Sequence, residues 1–309
     1  MSDTVVVIGE ALMDCVVGPS GDPLHEVPGG SPMNVAIGLG RLGHSVLLAA
    51  RLGSDSRGHA ISAHVAGSDV SLIAESSGLE YTSTATAHLA KDGSARYEFD
   101  LVWDLAPSMV PEAPYLHVHA GSIACTLQPG ANAVAEIVKR SRAAGASISY
   151  DPNVRPHIMG SASDVVPQIE AMVALSDLVK ASDEDVAWLY PTRSLDEVAA
   201  HWQGLGAALV VITRGAEGAT VWSASRTLSF PTHAKTVVDT IGAGDTVMAG
   251  LIGALATRSL LGSAGAPGWA TLSENDLAEV VTFALRAAAI TVSRAGADLP
   301  TLAELKGAI

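Results

Sequence analysis

Two hydrophobic rhythms alternate along this chain. Short strand-like segments rich in β-branched residues begin at Thr4–Ile8 and recur within 115–125, 147–156 and 208–222. An unbroken apolar run of this kind reads as a strand buried on both faces, as in a parallel sheet. Between them lie longer segments with small and apolar residues at helical spacing, at 31–43, 131–146, 246–255 and 277–291. Repeated strand–helix alternation predicts an α/β fold, with helices covering both sides of a parallel-rich sheet. Two stretches break the rhythm. Residues 18–30 are too dense in Gly and Pro for a helix and predict a turn plus a short edge strand. Residues 81–105 alternate with a period of two, which predicts two antiparallel strands joined by a hairpin turn at Lys91-Asp92-Gly93-Ser94. The expectation is one domain over 1–309 carrying a small β element from about 12–30 and 83–106, without repeats or a linker.

With 309 residues the chain can bury a large core. Its net charge of −14 argues against nucleic acid and anionic membrane as partners. Cys15 and Cys125 are too few for a disulfide scaffold and predict reduced thiols in a cytoplasmic protein. The opening strand lacks the cationic start and long apolar core of a signal peptide. Thr246–Thr257 is uncharged but too short to span a bilayer.

The chemistry concentrates in residues 237–255, VVDTIGAGDTVMAGLIGAL. Val237 and Val238 read as the end of a strand, Gly242-Ala243-Gly244 as a turn, and Thr246–Leu255 as a buried helix. At such a junction the first N–H groups of the helix have no carbonyl partners and sit at the positive end of its dipole, where an anion fits. Glycines let a phosphate approach the backbone. Asp245 puts a carboxylate beside this anion hole. That arrangement repels an anion unless the carboxylate takes a proton from a hydroxyl attacking phosphorus. The alternative is an Asp that only caps the helix.

Two other motifs have to be set aside. Gly38, Gly40 and Gly43 spell G-x-G-x-x-G, but they fall inside the helical run that begins at Ser31-Pro32, not between a strand and a helix start. Close packing and a helix end explain them better than a dinucleotide. No G-x-x-x-x-G-K-[ST] phosphate loop occurs. His117 and His119 share one strand face, but no third metal ligand is near in sequence.

Asp239-Thr240-Ile241-Gly242-Ala243-Gly244-Asp245 resembles the second signature of the ribokinase-like (PfkB) carbohydrate kinases, D-T-x-G-A-G-D. Gly29-Gly30-Ser31-Pro32-Met33-Asn34-Val35-Ala36 resembles their first signature in its fructokinase-type form, and Gly9–Asp14, GEALMD, resembles the fructokinase opening. The resemblance runs from about residue 4 to 300. It implies a three-layer α/β/α fold with a mostly parallel central sheet and a small β-strand lid. It implies that Asp245 is the base, that the catalytic turn Gly242, Ala243 and Gly244 holds the transferring phosphate with the amides of Ala243–Asp245 stabilising its charge, and that Asp14, Gly29, Gly30 and Asn34 bind sugar. Asn34 can alternatively serve as a local cap.

Further positions carry over in the same way. Asp151-Pro152-Asn153-Val154-Arg155-Pro156 is similar to a segment of fructokinases and 2-keto-3-deoxygluconate kinases, so Asn153 and Arg155 are substrate candidates. Arg155 can instead pair with Asp151. Ser182 and Asp185 stand where the family has N-x-x-E, which organises hydrated Mg²⁺, and they also fit a capping box. Thr213, Arg214 and Gly215 match the turn beside the ATP phosphates. Asp239, Ile241, Thr291, Arg294 and Gly296 fall where relatives hold a monovalent cation such as K⁺. Tyr97, Phe99 and Trp103 are expected to line the lid or pack it against the body. The strand after the turn carries Glu98, Asp100 and Asp104 with Arg96 its only cation, which disfavours an acidic sugar. The resemblance therefore implies a kinase using ATP and Mg²⁺ on fructose, with 2-keto-3-deoxygluconate second. Dimerisation through the lid is common among such kinases, so a homodimer is an open expectation. A non-catalytic sugar-binding regulator on the same fold would be expected to have lost Asp245 or the glycine turn, and both are present.

Overall fold

A computed structural model describes residues 3–73, 76–90 and 94–307. In chain order its elements are β1 (Val5–Ile8), β2 (Leu12–Val17), β3 (Pro23–Gly29), α1 (Ser31–Arg41), β4 (Val46–Ala49), β5 (Leu52–Gly53), α2 (Ser56–Ala66), β6 (Val70–Leu72), β7 (Ser77–Leu79), β8 (Thr84–Leu89), β9 (Ala95–Asp100), β10 (His117–Gly121), α3 (Gly130–Ala143), β11 (Ser147–Asp151), α4 (Pro156–Met159), α5 (Ala162–Val173), β12 (Leu178–Ser182), α6 (Asp183–Leu189), α7 (Leu195–Leu205), β13 (Leu209–Thr213), β14 (Ala219–Trp222), β15 (Thr227–Phe230), α8 (Ala243–Thr257), α9 (Gly262–Gly265), α10 (Glu274–Thr291) and α11 (Leu302–Gly307).

The central sheet has the order β15-β14-β13-β12-β11-β10-β1-β4-β6. From β13 to β6 every pairing is parallel, and only the β13–β14 and β14–β15 pairings are antiparallel. Side chains of β1 alternate between faces, as a pleated strand requires. Val5 and Val7 enter one core, with α1, α8 and α10. Val6 and Ile8 enter the other, with α3, α5 and α7. The sheet is therefore filled on both sides, which is why its strands carry continuous apolar runs. Small residues let the helices of the first core approach closely: a Cβ at Gly250 would lie 2.6 Å from Ala284 Cα, and one at Gly38 would lie 2.7 Å from Ala249 Cβ. Gly40 is packed against Ser68 and Gly43 turns the chain after α1 with φ 88°. Packing and a turn thus account for the whole G-x-G-x-x-G stretch.

The chain lays β1, β4 and β6 outward on one side, then returns to β10 on the other side of β1. Ligands of open α/β sheets bind outside the carboxyl ends of strands at such a reversal. A second sheet, β3-β2-β8-β9, stands at that end. Its β2–β8 pairing is parallel and the flanking pairings are antiparallel. The antiparallel pair within 81–105 is present as β8 and β9, while Lys91, Asp92 and Gly93 of the anticipated turn lie outside the described residues. Trp103 is not part of this sheet: it is buried in the core against Gly130, and its Nε1 donates to Ala124 O at 3.0 Å. Tyr97 and Phe99 stack with centroids 6.2 Å apart.

One expected element is absent. Val237 and Val238 form no strand and are 62% and 61% exposed. The chain leaves the sheet at Phe230, and the Val238 and Asp239 amides go instead to Val292 O, at 2.7 and 3.3 Å. A β-branched pair has strand propensity, but here the backbone amides of Val238 and Asp239 are taken by Val292 O instead of a sheet partner.

Candidate active site

The irregular segment ends at Gly242, whose φ of 76° starts α8 from a left-handed turn. A Cβ there would lie 2.7 Å from Ala297 Cβ, so both conformation and space call for glycine. The first intrahelical bond is Thr246 N–H to Gly242 O at 2.8 Å. The Ala243 amide is closed by Thr240 O at 3.2 Å. The Gly244 and Asp245 amides have no acceptor among the described residues. Of the amides Ala243–Asp245 expected to form the anion hole, Gly244 and Asp245 are open and Ala243 is closed within the turn; the Gly242 amide also has no acceptor among the described residues. Gly242, Ala243 and Gly244 are all partly exposed.

Asp245 occupies the first turn of α8, not its cap, which is Gly242. It is 8% exposed. Ser31 Oγ donates to its Oδ1 at 2.7 Å and Asn34 Nδ2 to its Oδ2 at 2.8 Å. The two signatures therefore meet in one hydrogen-bonded group at the start of two packed helices. Asn34 is not a local cap. In the sequence Ser31 marks only a helix start; its place as a partner of Asp245 depends on how α1 lies against α8.

At the end of β3, Gly29 makes room for the Asp14 carboxylate and Gly30 for the Glu10 backbone carbonyl. A Cβ at Gly29 would fall 1.9 Å from Asp14 Oδ2, and one at Gly30 would fall 2.5 Å from Glu10 O. Burial pushes Asp14 up to about 6, opposed by Arg155. Burial pushes Glu10 up to about 7, opposed by Ser122, Arg155 and backbone amides. Glu10 is 9% exposed, and its Oε2 has no hydrogen-bond partner among the described residues. It borders a cavity of about 10 Å³ that Arg51, Ser83, Trp103 and Ile123 also line, roughly the room one water needs. Arg155 does not pair with Asp151. Its Nη1 donates to Asn153 Oδ1 at 2.7 Å, and Asn153 itself holds φ 36°.

Asp151 instead faces Lys180, with 2.6 Å between Oδ2 and Nζ. The two side chains form a buried ion pair. The one cue to Lys180 in the sequence is a lysine inside the otherwise apolar strand β12, where a buried ammonium requires a partner. Asp185 and Ser182 form the capping box of α6: Asp185 accepts from Ser182 N–H at 2.9 Å and from Val154 N–H at 2.8 Å. Thr213 Oγ1 donates to Ala181 O at 3.4 Å, and Arg214 reaches Glu217 at 3.1 Å while its buried Nε has no partner among the described residues. Gly215 is exposed beside them.

The monovalent-cation candidates also come together. Asp239 accepts from Ile241 N–H at 3.0 Å and Gly296 N–H at 2.9 Å, which holds its carboxyl below the ordinary range. Thr291 Oγ1 lies 2.9 Å from Thr246 Oγ1. The Arg294 side chain turns away to Asp298 and Glu304. Among the described residues no cluster of three or more His, Cys, Asp or Glu could hold a metal directly. His117 and His119 are bonded to Ser147 and Ser149, and burial drives both rings down to about 3. No single helix among them is long and apolar enough to cross a membrane.

Open amides, a carboxylate and polar strand ends meeting at the carboxyl edge of a parallel sheet are what a phosphoryl-transfer enzyme of ribokinase-like fold requires. The chain belongs to the pfkB family carbohydrate kinases, which it matches over residues 2–304. It is similar to a fructokinase of Rhizobium leguminosarum bv. trifolii, 35% identical over 83% of this chain and 81% of the relative. It is also similar to the probable fructokinase-2 of Arabidopsis thaliana, 29% identical over 96% and 93%. Among solved structures, a Xylella fastidiosa fructokinase with bound ATP superposes with a TM-score of 0.90 at 26% identity, covering 99% and 98%. A Vibrio cholerae fructokinase variant bound to fructose, ADP and potassium gives 0.82 at 25%, covering 99% of each chain.

Proposed function

We propose that this carbohydrate kinase transfers the γ-phosphoryl of ATP to a hydroxyl of fructose. The observation that carries the reading is the placement of Asp245. Its carboxylate is held by Ser31 and Asn34 one turn into α8, beside two open amides that no other part of the fold uses.

Each residue then has a task. Asp14, Gly29, Gly30 and Asn34 orient the sugar, with Asn153 and Arg155 at the rim and the second sheet as a lid. Asp245 accepts the proton of the attacking hydroxyl. In a loose transition state that proton moves late, so position matters more than basicity. The Gly244 and Asp245 amides stabilise charge on the phosphoryl oxygens, and the dipole of α8 adds to them. Thr213, Arg214 and Gly215 sit where the remaining phosphates are held. The acids fit a hydrated divalent ion better than a directly bound one, because both oxygens of Asp185 already accept backbone amides. Mg²⁺ would neutralise the phosphate oxygens, with Asp185 facing its waters. Asp239 and the carbonyls near Ile241, Thr291, Arg294 and Gly296 would hold K⁺ behind the glycine turn. These residues form one unit with the lid from about 12–30 and 83–106.

Fructose is favoured by the relatives above and by the lid strands β8 and β9, whose Arg96 is tied to Glu98 at 3.6 Å. A coupled assay of ADP release over a panel of sugars tests this. Fructose should give the highest kcat/KM, with 2-keto-3-deoxygluconate well below it. If no sugar releases ADP while sugar still binds, the protein is a binding regulator and the reading fails.

A further inference from the structure

Lys180 poses a physical problem. Its side chain is 4% exposed, in the middle of the central sheet, and it lies at the start of a helix. A cation is unfavourable at the positive end of a helix dipole, and a buried ammonium costs stability unless it is paired. Asp151 supplies the opposite charge 2.6 Å away, so two ions are buried together where an apolar pair would cost less. A sequence selected for stability alone would place an apolar residue here, as it does at the neighbouring Val179 and Ala181.

What Lys180 reaches explains its presence. Nζ donates to Gly244 O at 3.2 Å, and a Cβ at Gly244 would lie 2.9 Å from that nitrogen. The Gly244 carbonyl and the Asp245 N–H belong to one rigid peptide plane and point in opposite directions. Holding the carbonyl therefore aims the Asp245 amide, one of the two open donors of the site. We infer that Lys180 is a positioning residue of the phosphoryl-transfer site, fixing the Gly244–Asp245 peptide and setting a positive charge beneath the transferring group. Asp151 keeps the ammonium in place. Asp185 and Asp245 also lie within its field, and together the three carboxylates overcome the effect of burial and keep it charged. This inference rests on the kinase reading and assigns Lys180 to the transition state, not to sugar binding.

The test uses the whole chain and two readouts. One is steady-state kinetics with ATP and fructose. The other is affinity for ADP with aluminium fluoride in the presence of fructose, relative to affinity for ADP alone, by calorimetry. Wild-type turnover decides the kinase reading first; Lys180 is judged only by comparison with it. Lys180→Met should lower kcat at least 30-fold while KM for fructose changes less than threefold. It should also remove most of the preference for ADP with aluminium fluoride over ADP. Because the lone substitution strands the Asp151 charge and can impair folding, the same change is made in an Asp151→Asn chain. A further tenfold loss of that preference, beyond Asp151→Asn alone, is expected. If Lys180→Met adds nothing to Asp151→Asn, or keeps kcat within threefold of wild type, Lys180 merely neutralises Asp151 and the inference is overturned.

Discussion

Asn34 donates from Nδ2 to Asp245 Oδ2 at 2.8 Å across a separation of 211 residues. The bond joins the start of α1 to the first turn of α8, so each signature supplies one half of the same group. With Ser31 on the other oxygen, the carboxylate is aimed by two donors from one helix.

Removal of the base is the first consequence. Asp245→Asn should lower kcat by about 10²–10⁴-fold, the usual worth of a positioned general base. Affinity for fructose, measured by calorimetry, should change little. Turnover surviving within about tenfold, some 1.4 kcal/mol of barrier, would show that Asp245 is not the base.

Ser31 acts only through Asp245. Ser31→Ala leaves Asn34 in place but frees one oxygen, so kcat should fall by roughly tenfold, and folding stability by about 1 kcal/mol for a lost buried hydrogen bond. Added to Asp245→Asn, the same substitution should cost almost no further turnover. Independent losses in the double variant would contradict a shared role.

Gly242 tests the turn itself. Alanine there meets both a φ of 76° and Ala297. Gly242→Ala should destabilise the fold by about 1–3 kcal/mol and abolish turnover even at temperatures where the variant is folded. Thermal unfolding beside an ADP-release assay separates the two effects.

Glu10 makes stability depend on pH. Its folded pKa of about 7 stands above the ordinary 4.5, so between those values the native state binds more protons than the unfolded chain. The contribution of this group is most favourable below about pH 4.5 and is lost as the pH rises through 7. Glu10→Gln cannot ionise and should gain stability relative to wild type between pH 5 and pH 8, by up to about 3 kcal/mol. Asp14, pushed up to about 6, acts in the same direction but is present in both chains. Urea unfolding at the two pH values gives the answer, and a difference that does not change with pH removes the buried-carboxyl account.

A cation behind the turn should leave a kinetic trace. Replacing K⁺ by tetramethylammonium should lower kcat several-fold in wild type. Asp239→Ala, which releases the Ile241 and Gly296 amides, should lower kcat and erase the difference between the two salts. Equal rates for wild type in both salts would remove the cation from the scheme.

What was legible in the sequence was whatever local composition dictates. Continuous apolar runs such as Val5–Ile8 can exist only inside a covered sheet, and GAGD before an apolar helix can only be a helix start with spare amides. Segments with exposed backbone were harder. Val237 and Val238 have the residues of a strand, yet the Val238 amide pairs with the end of α10 at Val292 O instead. Only the tertiary structure decided which polar groups meet: that Asn34 and Ser31 take the two oxygens of Asp245, that Arg155 turns to Asn153, and that Asp151 and Gly244 share Lys180. Hydrophobic periodicity is a property of neighbours along the chain and survives in one dimension. The partner of a buried charge is set by how helices and strands from distant segments stack, and neither spacing nor composition encodes that.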